Sequence, residues 1–196
     1  MSNTLLRQRA LLGISLSLML ILLQTWQPEL YFQRQLIQSG EIWRLWTGNL
    51  VHTNVWHVAL NIGGWSLLLL LAPNSLTTRY LMLSIAVLMS VVGLGLYSFN
   101  PNLLWYAGFS GVLYGLFTLA GIYWLLERDY VLGLMLLLFS GGKAFSDLAL
   151  GGDSLSSQLI AAPVIYAAHI YGIIGAVGLA LPQIKRSLPH AKPKPT

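Results

Sequence analysis

Six apolar runs, at residues 10–26, 50–72, 80–98, 107–126, 130–147 and 161–182, fill most of this 196-residue chain. Each holds roughly 17–23 residues, close to the ~20 that a helix needs to cross the hydrocarbon core of a bilayer. A soluble fold of this size has no interior large enough for all six. Only 9% of the residues are charged and 56% are hydrophobic, against about 25% charged in an ordinary soluble chain. A bilayer accommodates such a chain, because lipid is the solvent for the outer faces of spanning helices. The sequence predicts one all-α, polytopic membrane domain over residues 1–184 and a basic cytoplasmic tail over 185–196. The fifth run is the most interrupted, by Gly141, Gly142, Lys143 and Asp147.

The net charge of +5 does not signal nucleic acid. The basic residues sit mostly at the ends of apolar runs, as the positive-inside rule expects, and form no stripe between aromatics. With the N-terminus inside, Arg7, Arg9, Arg79, Arg128, Lys185, Arg186, Lys192 and Lys194 face the cytoplasm, and Arg34, Arg44 and Lys143 face outward. That bias predicts an N-in, C-in topology. Arg7 and Arg9 ahead of the first run imitate a signal peptide, but no small-residue cleavage pattern follows. The run is read as an uncleaved first spanning helix. The chain has no cysteine, which excludes disulfides, thiol catalysis and thiolate metal sites. The longest connection, 27–49, mixes Tyr31, Phe32, Trp43 and Trp46 with polar residues, a composition suited to the headgroup level.

Three clusters carry chemistry. The first is Gly108-Phe-Ser-Gly-Val-Leu-Tyr-Gly115, at the outer end of the fourth run. Gly111 and Gly115 share a helix face and admit a close neighbour, with Ser110 beside them and Tyr114 one turn on. By itself the octet fits a packing motif as well as a nucleophile. It is not the strand-to-helix elbow of soluble hydrolases, since Val112 stands where that motif needs glycine. The second is Ala168-His-Ile-Tyr-Gly172, with Gly175 beyond. An ionisable residue inside a span is costly and marks a functional candidate, although a structural histidine bonded to a carbonyl is the alternative. Counted from outside, Ser110 and His169 fall at matching depth, His169 about eight residues into the sixth run. The third is His52-Thr-Asn-Val-Trp-His57-Val-Ala-Leu-Asn61. His57 and Asn61 project side by side at i, i+4, and both can donate hydrogen bonds to an oxyanion or simply join helices. His52 reads as structural.

No carboxylate lies in the outer half of a run except Asp147, so the pattern points to a Ser110–His169 dyad with Tyr114 packed on the imidazole. Asp147 as an orienting acid is a minor alternative. There is no H-E-x-x-H for a zinc protease, and Gly151-Gly152-Asp153 lacks an intramembrane Asp partner. Two other classes fit parts of the sequence: a non-catalytic binder of transmembrane helices, and a bis-histidine haem or quinone protein using His57 and His169.

Taken in order, Trp43-Arg44 with Thr47, then His52, His57 and Asn61, then Gly108-x-Ser110-Gly111 with Tyr114, then Ala168-His169-x-x-Gly172 resemble the rhomboid proteases from Glu41 to Gly175. The resemblance implies a six-helix rhomboid-like bundle and a Ser110–His169 dyad without cofactor or metal. It implies an oxyanion site from His57, Asn61 and the Ser110 backbone N–H, flanked by Gly108 and Tyr114. It also implies that 27–49 is a first loop half embedded in one leaflet and anchored by Trp43-Arg44. The sixth run departs from the family's glycine spacing, with Ile165 and Ala176 at two glycine positions and Gly175 one residue early. The short chain, the Ser-Gly-Val-Leu run, Gly142-Lys143 and Ala-His-Ile-Tyr-Gly look similar to the rhombosortase branch. That branch implies a transmembrane protein substrate with a C-terminal Gly-Gly tail, cleaved at the outer face of a bacterial inner membrane. Gly133, Gly141 and Gly142 weaken the fifth helix and mark it as the element expected to open.

Overall fold

The computed structural model describes residues 2–149 and 155–187. The side chain of Asp147, the Gly151-Gly152-Asp153 segment and the residues beyond Ser187 lie outside the described residues. The chain is an all-α polytopic membrane bundle. Helix α1 (Asn3–Leu22) is started by Ser2, whose hydroxyl accepts from the Leu5 amide at 3.2 Å. It passes through a 3₁₀ turn (Leu23–Trp26) into α2 (Gln27–Leu30), with Pro28 in the first turn where a missing N–H costs nothing. The first loop then lays down a two-residue strand, β1 (Phe32–Gln33), and two short helices, α3 (Arg34–Gln38) and α4 (Arg44–Thr47). Helices α5 (Val55–Leu71) and α6 (Thr78–Phe99) follow, then a second strand, β2 (Trp105–Tyr106), and α7 (Ser110–Leu126). The chain closes with α8 (Tyr130–Ala149), α9 (Leu155–Ile160) and α10 (Tyr166–Ser187).

Among the described residues, three stretches are long and apolar enough to span alone: Asn3–Leu30, Thr78–Phe99 and Tyr166–Ser187. Helices α5 and α7 have 17 residues each, about 26 Å at 1.5 Å per residue, short of the ~30 Å hydrocarbon core. A helix that stops short of the headgroups leaves its end, and the loop before it, at membrane depth. Irregular backbone is tolerated there only when protein covers it or it borders a wet cavity. The starts of α5 and α7 are covered by protein and border a cavity, and this is where the candidate site lies.

Helix α7 is the hub. It packs against α5, α6, α8 and α10, and 11 of its residues are buried, so it carries no polar face. Its tightest neighbour is α10. A Cβ placed on Gly172 would lie 1.9 Å from the Gly111 carbonyl oxygen, and one on Gly115 2.7 Å from the Gly172 carbonyl oxygen. The two backbones touch, as small-residue faces permit in membranes.

Two helices begin later than the apolar runs suggest. The fourth starts at Ser110, not at 107, because Gly108 takes a positive φ of 141° that no helix contains. The sixth starts at Tyr166, not at 161. Ala161 sits at φ 52° and closes α9, its amide bonded to the Gln158 carbonyl and the next amide to the Ser157 carbonyl. Pro163 then discourages helix in the residue before it. His169 is therefore the fourth residue of its helix, in the first turn, and not eight residues deep. At the other end α10 continues through Pro182 to Ser187, carrying Lys185 and Arg186 on its last turn, where cations favour the helix dipole.

The antiparallel pairing of β1 with β2, Phe32 opposite Tyr106 and Gln33 opposite Trp105, ties the first loop to the residues leading into α7. Arginines complete the tie. Arg34 donates to the carbonyls of Leu96, Tyr97, Asn100 and Leu103, closing the end of α6. Arg44 donates to Glu41 at 2.7 Å and to the carbonyls of Pro28 and Tyr31. Gly93 of α6 lets the Leu45 carbonyl approach so closely that a Cβ there would lie 1.8 Å from it.

Candidate active site

Ser110 and His169 occupy the first turns of α7 and α10, where those helices are in backbone contact. Ser110 Oγ and His169 Nε2 are 3.0 Å apart. The Tyr114 ring lies parallel to the imidazole, centroids 3.9 Å apart and planes 7° from coincidence. Ring stacking of this kind fixes the imidazole plane without a carboxylate. His169 is 4% exposed while Ser110 is more open, so the imidazole is sheltered and Ser110 lines a cavity.

That cavity has a volume of about 200 Å³. Its polar lining includes His57, Asn61, Ser110 and His169, and its apolar walls include Leu113 and Phe117 of α7, Phe139 of α8, and Val164. Lys143, Ser156 and Ile160 complete one side. A helix start places its first amides with no partner within the helix, and in α7 those amides sit beside Ser110. Such a site is suited to a negative oxygen.

His57 is held from both directions. Asn54 caps α5, its side-chain oxygen accepting from the His57 amide at 2.9 Å. The His57 ring lies against Gly108: a Cβ on Gly108 would meet its Cε1 at 2.8 Å and its Nε2 at 2.9 Å. Glycine is required here twice, for the positive φ and for the approach of the imidazole. Asn61, one turn on, gives one amide N–H to the His57 carbonyl at 2.9 Å. An asparagine amide has two, and Asn61 is among the residues that line the cavity.

His52 lies apart from the cavity. Its amide donates to Gln24 Oε1 at 2.8 Å, its Nδ1 is 3.3 Å from Gln24 Nε2, and its Nε2 is 3.5 Å from the Phe109 amide. It joins the end of the first helix to the start of α7. Two contributors were not singled out from sequence. Tyr106 donates its hydroxyl to the Gly108 carbonyl at 2.6 Å, and burial pushes its pKa up, so that it stays a protonated donor. Thr53 touches His57 Nδ1 with its hydroxyl at 3.1 Å. Tyr106 carries no local signal, because only the pairing of β1 with β2 places it. Thr53 lies four residues before His57, where an N-cap region folds back on its own first turn.

The sequence matches the rhomboid domain family over residues 39–186, a span that contains every residue of the cavity just described. Comparison with curated proteins returns no match.

Proposed function

This chain belongs to the rhomboid family of intramembrane proteases, and from that premise we propose that it is a serine endopeptidase acting through Ser110 and His169. The observation that carries the reading is the 3.0 Å contact between Ser110 Oγ and His169 Nε2 at a cavity that His57 and Asn61 also line. His169 takes the hydroxyl proton as Ser110 attacks a peptide carbonyl, then returns it to the leaving amine. The oxyanion is met by the Ser110 backbone N–H, the second N–H of Asn61 and His57. Water hydrolyses the acyl-enzyme, or a second amine accepts the acyl group. Tyr114 holds the imidazole plane, a task an aspartate performs in soluble triads.

The cleaved bond belongs to a transmembrane protein near the outer face of a bacterial inner membrane. Three of the basic residues used to orient the chain are helix-end or loop clamps, not interfacial charges: Arg9, Arg34 and Arg44. Setting them aside leaves seven inner residues against Lys143 alone outside, so the N-in, C-in reading strengthens. A helical substrate must unwind before its carbonyl can be attacked, since helical carbonyls are already bonded. Glycines near the cut lower that cost by about 1 kcal/mol each, which favours an exported protein with a Gly-Gly tail.

The test is co-expression with a tagged exported protein ending in a Gly-Gly, transmembrane and basic tail. Wild type is compared with Ser110→Ala and His169→Ala at equal protein levels. Cleavage lost in both supports the dyad, and product mass separates hydrolysis from transfer. Cleavage retained by Ser110→Ala ends the serine mechanism.

A further inference from the structure

The Thr53 hydroxyl has one proton and two neighbours. It lies 2.7 Å from the Ile160 carbonyl oxygen and 3.1 Å from His57 Nδ1. A carbonyl oxygen only accepts, so the shorter contact uses the hydroxyl proton. The remaining contact must then be donated by the ring, from Nδ1–H. The Thr53 amide also points at Nδ1, but at 3.5 Å, near the outer limit of hydrogen bonding, it is the weaker of the two contacts and yields to the 3.1 Å one while the hydroxyl is bonded to Ile160. A neutral imidazole with its proton on Nδ1 has a bare Nε2. That nitrogen is the one facing the site: a point on Gly108 2.9 Å from it lies 3.9 Å from Ser110 Oγ. In this arrangement His57 presents a lone pair where an oxyanion needs a donor.

We propose that Thr53 is a positioning residue that keeps His57 in the wrong tautomer for oxyanion binding until the α9 segment lifts from α5. This rests on the oxyanion reading of His57 given above. Helix α9 packs on α5, and two hydrogen bonds fasten it: Thr53 Oγ1 to the Ile160 carbonyl, and Asn54 Nδ2 to the Leu159 carbonyl at 3.0 Å. Ser156 and Ile160 wall the cavity, so a substrate strand seated there competes with this segment for space. Ala161, immediately after, holds a left-handed φ of 52° that costs a non-glycine residue about 1–2 kcal/mol, so the closed segment is under strain.

Once Ile160 moves, the Thr53 hydroxyl rotates and donates to Nδ1, reinforced by its own amide. Nδ1 releases its proton to water in the cavity and Nε2 takes one from water, with no change in net charge. The ring then offers Nε2–H to the reacting carbonyl oxygen. The oxyanion site is thus completed by the same displacement that admits substrate.

The tautomer is read directly by ¹⁵N NMR of histidine-labelled full-length protein in micelles at a pH where the imidazoles are neutral. The His57 signals are identified by their loss in His57→Gln. Resting wild type and Thr53→Ser are expected to carry the proton on Nδ1. Thr53→Val, left with only the backbone amide as a donor at Nδ1, is expected to carry it on Nε2; Thr53→Ala replaces it if the valine protein does not fold. Wild type with Ser110 phosphonylated by a fluorophosphonate is expected to shift to Nε2. Nε2–H in resting wild type, or Nδ1–H retained in Thr53→Val, overturns the proposal. Because the resting tautomers are read without turnover, they stand or fall separately from the Ser110–His169 mechanism.

Discussion

Replacing Gly172 by alanine tests whether backbone contact between α7 and α10 is what holds Ser110 to His169. The new methyl would lie 1.9 Å from the Gly111 carbonyl oxygen and 3.2 Å from the Gly115 amide nitrogen. Ordinary contact begins near about 3.5 Å, so the helices must part locally by more than about 1 Å. Neither obstacle is a flexible side chain that can turn aside. Gly111 is bonded directly to Ser110, and Gly172 lies one turn from His169. A parting of that size stretches the 3.0 Å contact past hydrogen-bond range. Misplacement of a reacting group by about 1 Å costs roughly 10²-fold in rate, and overpacking costs about 1–3 kcal/mol of stability. Gly172→Ala should therefore lower kcat about a hundredfold with little change in KM, together with a modest fall in thermal stability in detergent. Gly178→Ala is the control. It lies on the same helix with nothing within 4 Å of the new methyl, and alanine favours helix by about 1 kcal/mol, so it should retain full activity. A Gly172→Ala protein with wild-type kcat would refute the claim that this contact sets the dyad.

Other substitutions probe the neighbouring parts. Gly108→Ala adds strain at φ 141° and drives a methyl into the His57 ring; kcat should fall roughly 10²–10³-fold, the loss expected for one oxyanion donor, as read by initial rates on a transmembrane substrate. Tyr114→Ala removes the stack on His169, worth about 0.5–1.5 kcal/mol, and should slow fluorophosphonate labelling of Ser110 roughly two- to twelvefold. Arg9→Met leaves the carbonyls of Ala72, Pro73 and Leu76 without their donor; it should cost on the order of 3 kcal/mol, seen as a lower midpoint in thermal unfolding, while activity per folded molecule is unchanged.

Helices were legible in the sequence wherever lipid alone dictates them. Runs such as 80–98 and 130–147 have to be helical to satisfy their backbone in the bilayer, and α6 and α8 follow them closely. What the runs cannot show is where an apolar stretch stops being helix. Residues 107–109 and 161–165 are as apolar as a span, yet Gly108, Ala161 and Pro163 turn them into loop. Composition is blind to φ. The loop conformation is also what brings Ser110 and His169 to the first turns of their helices. Long-range pairings were equally out of reach. The bond from Thr53 to Ile160 joins residues 107 apart in sequence, and the β1–β2 pair has no strand-like alternation to announce it. The partners of the arginines were the least legible. By composition Arg9, Arg34 and Arg44 are interfacial charges, whereas the fold spends them on exposed helix ends and loop carbonyls that lipid cannot solvate. The Ser110, His57, Asn61 and His169 cluster was visible because polar side chains are rare enough in such a chain to stand out one by one.

The central claim is that Ser110 is a nucleophile activated by His169. It is tested most directly by treating the purified full-length protein with a fluorophosphonate and locating the adduct by peptide mass analysis. The account predicts a single adduct on Ser110 in wild type, none in Ser110→Ala, and labelling slowed at least a hundredfold in His169→Ala. An adduct on another residue, or a Ser110 that labels as fast without His169 as with it, would contradict it.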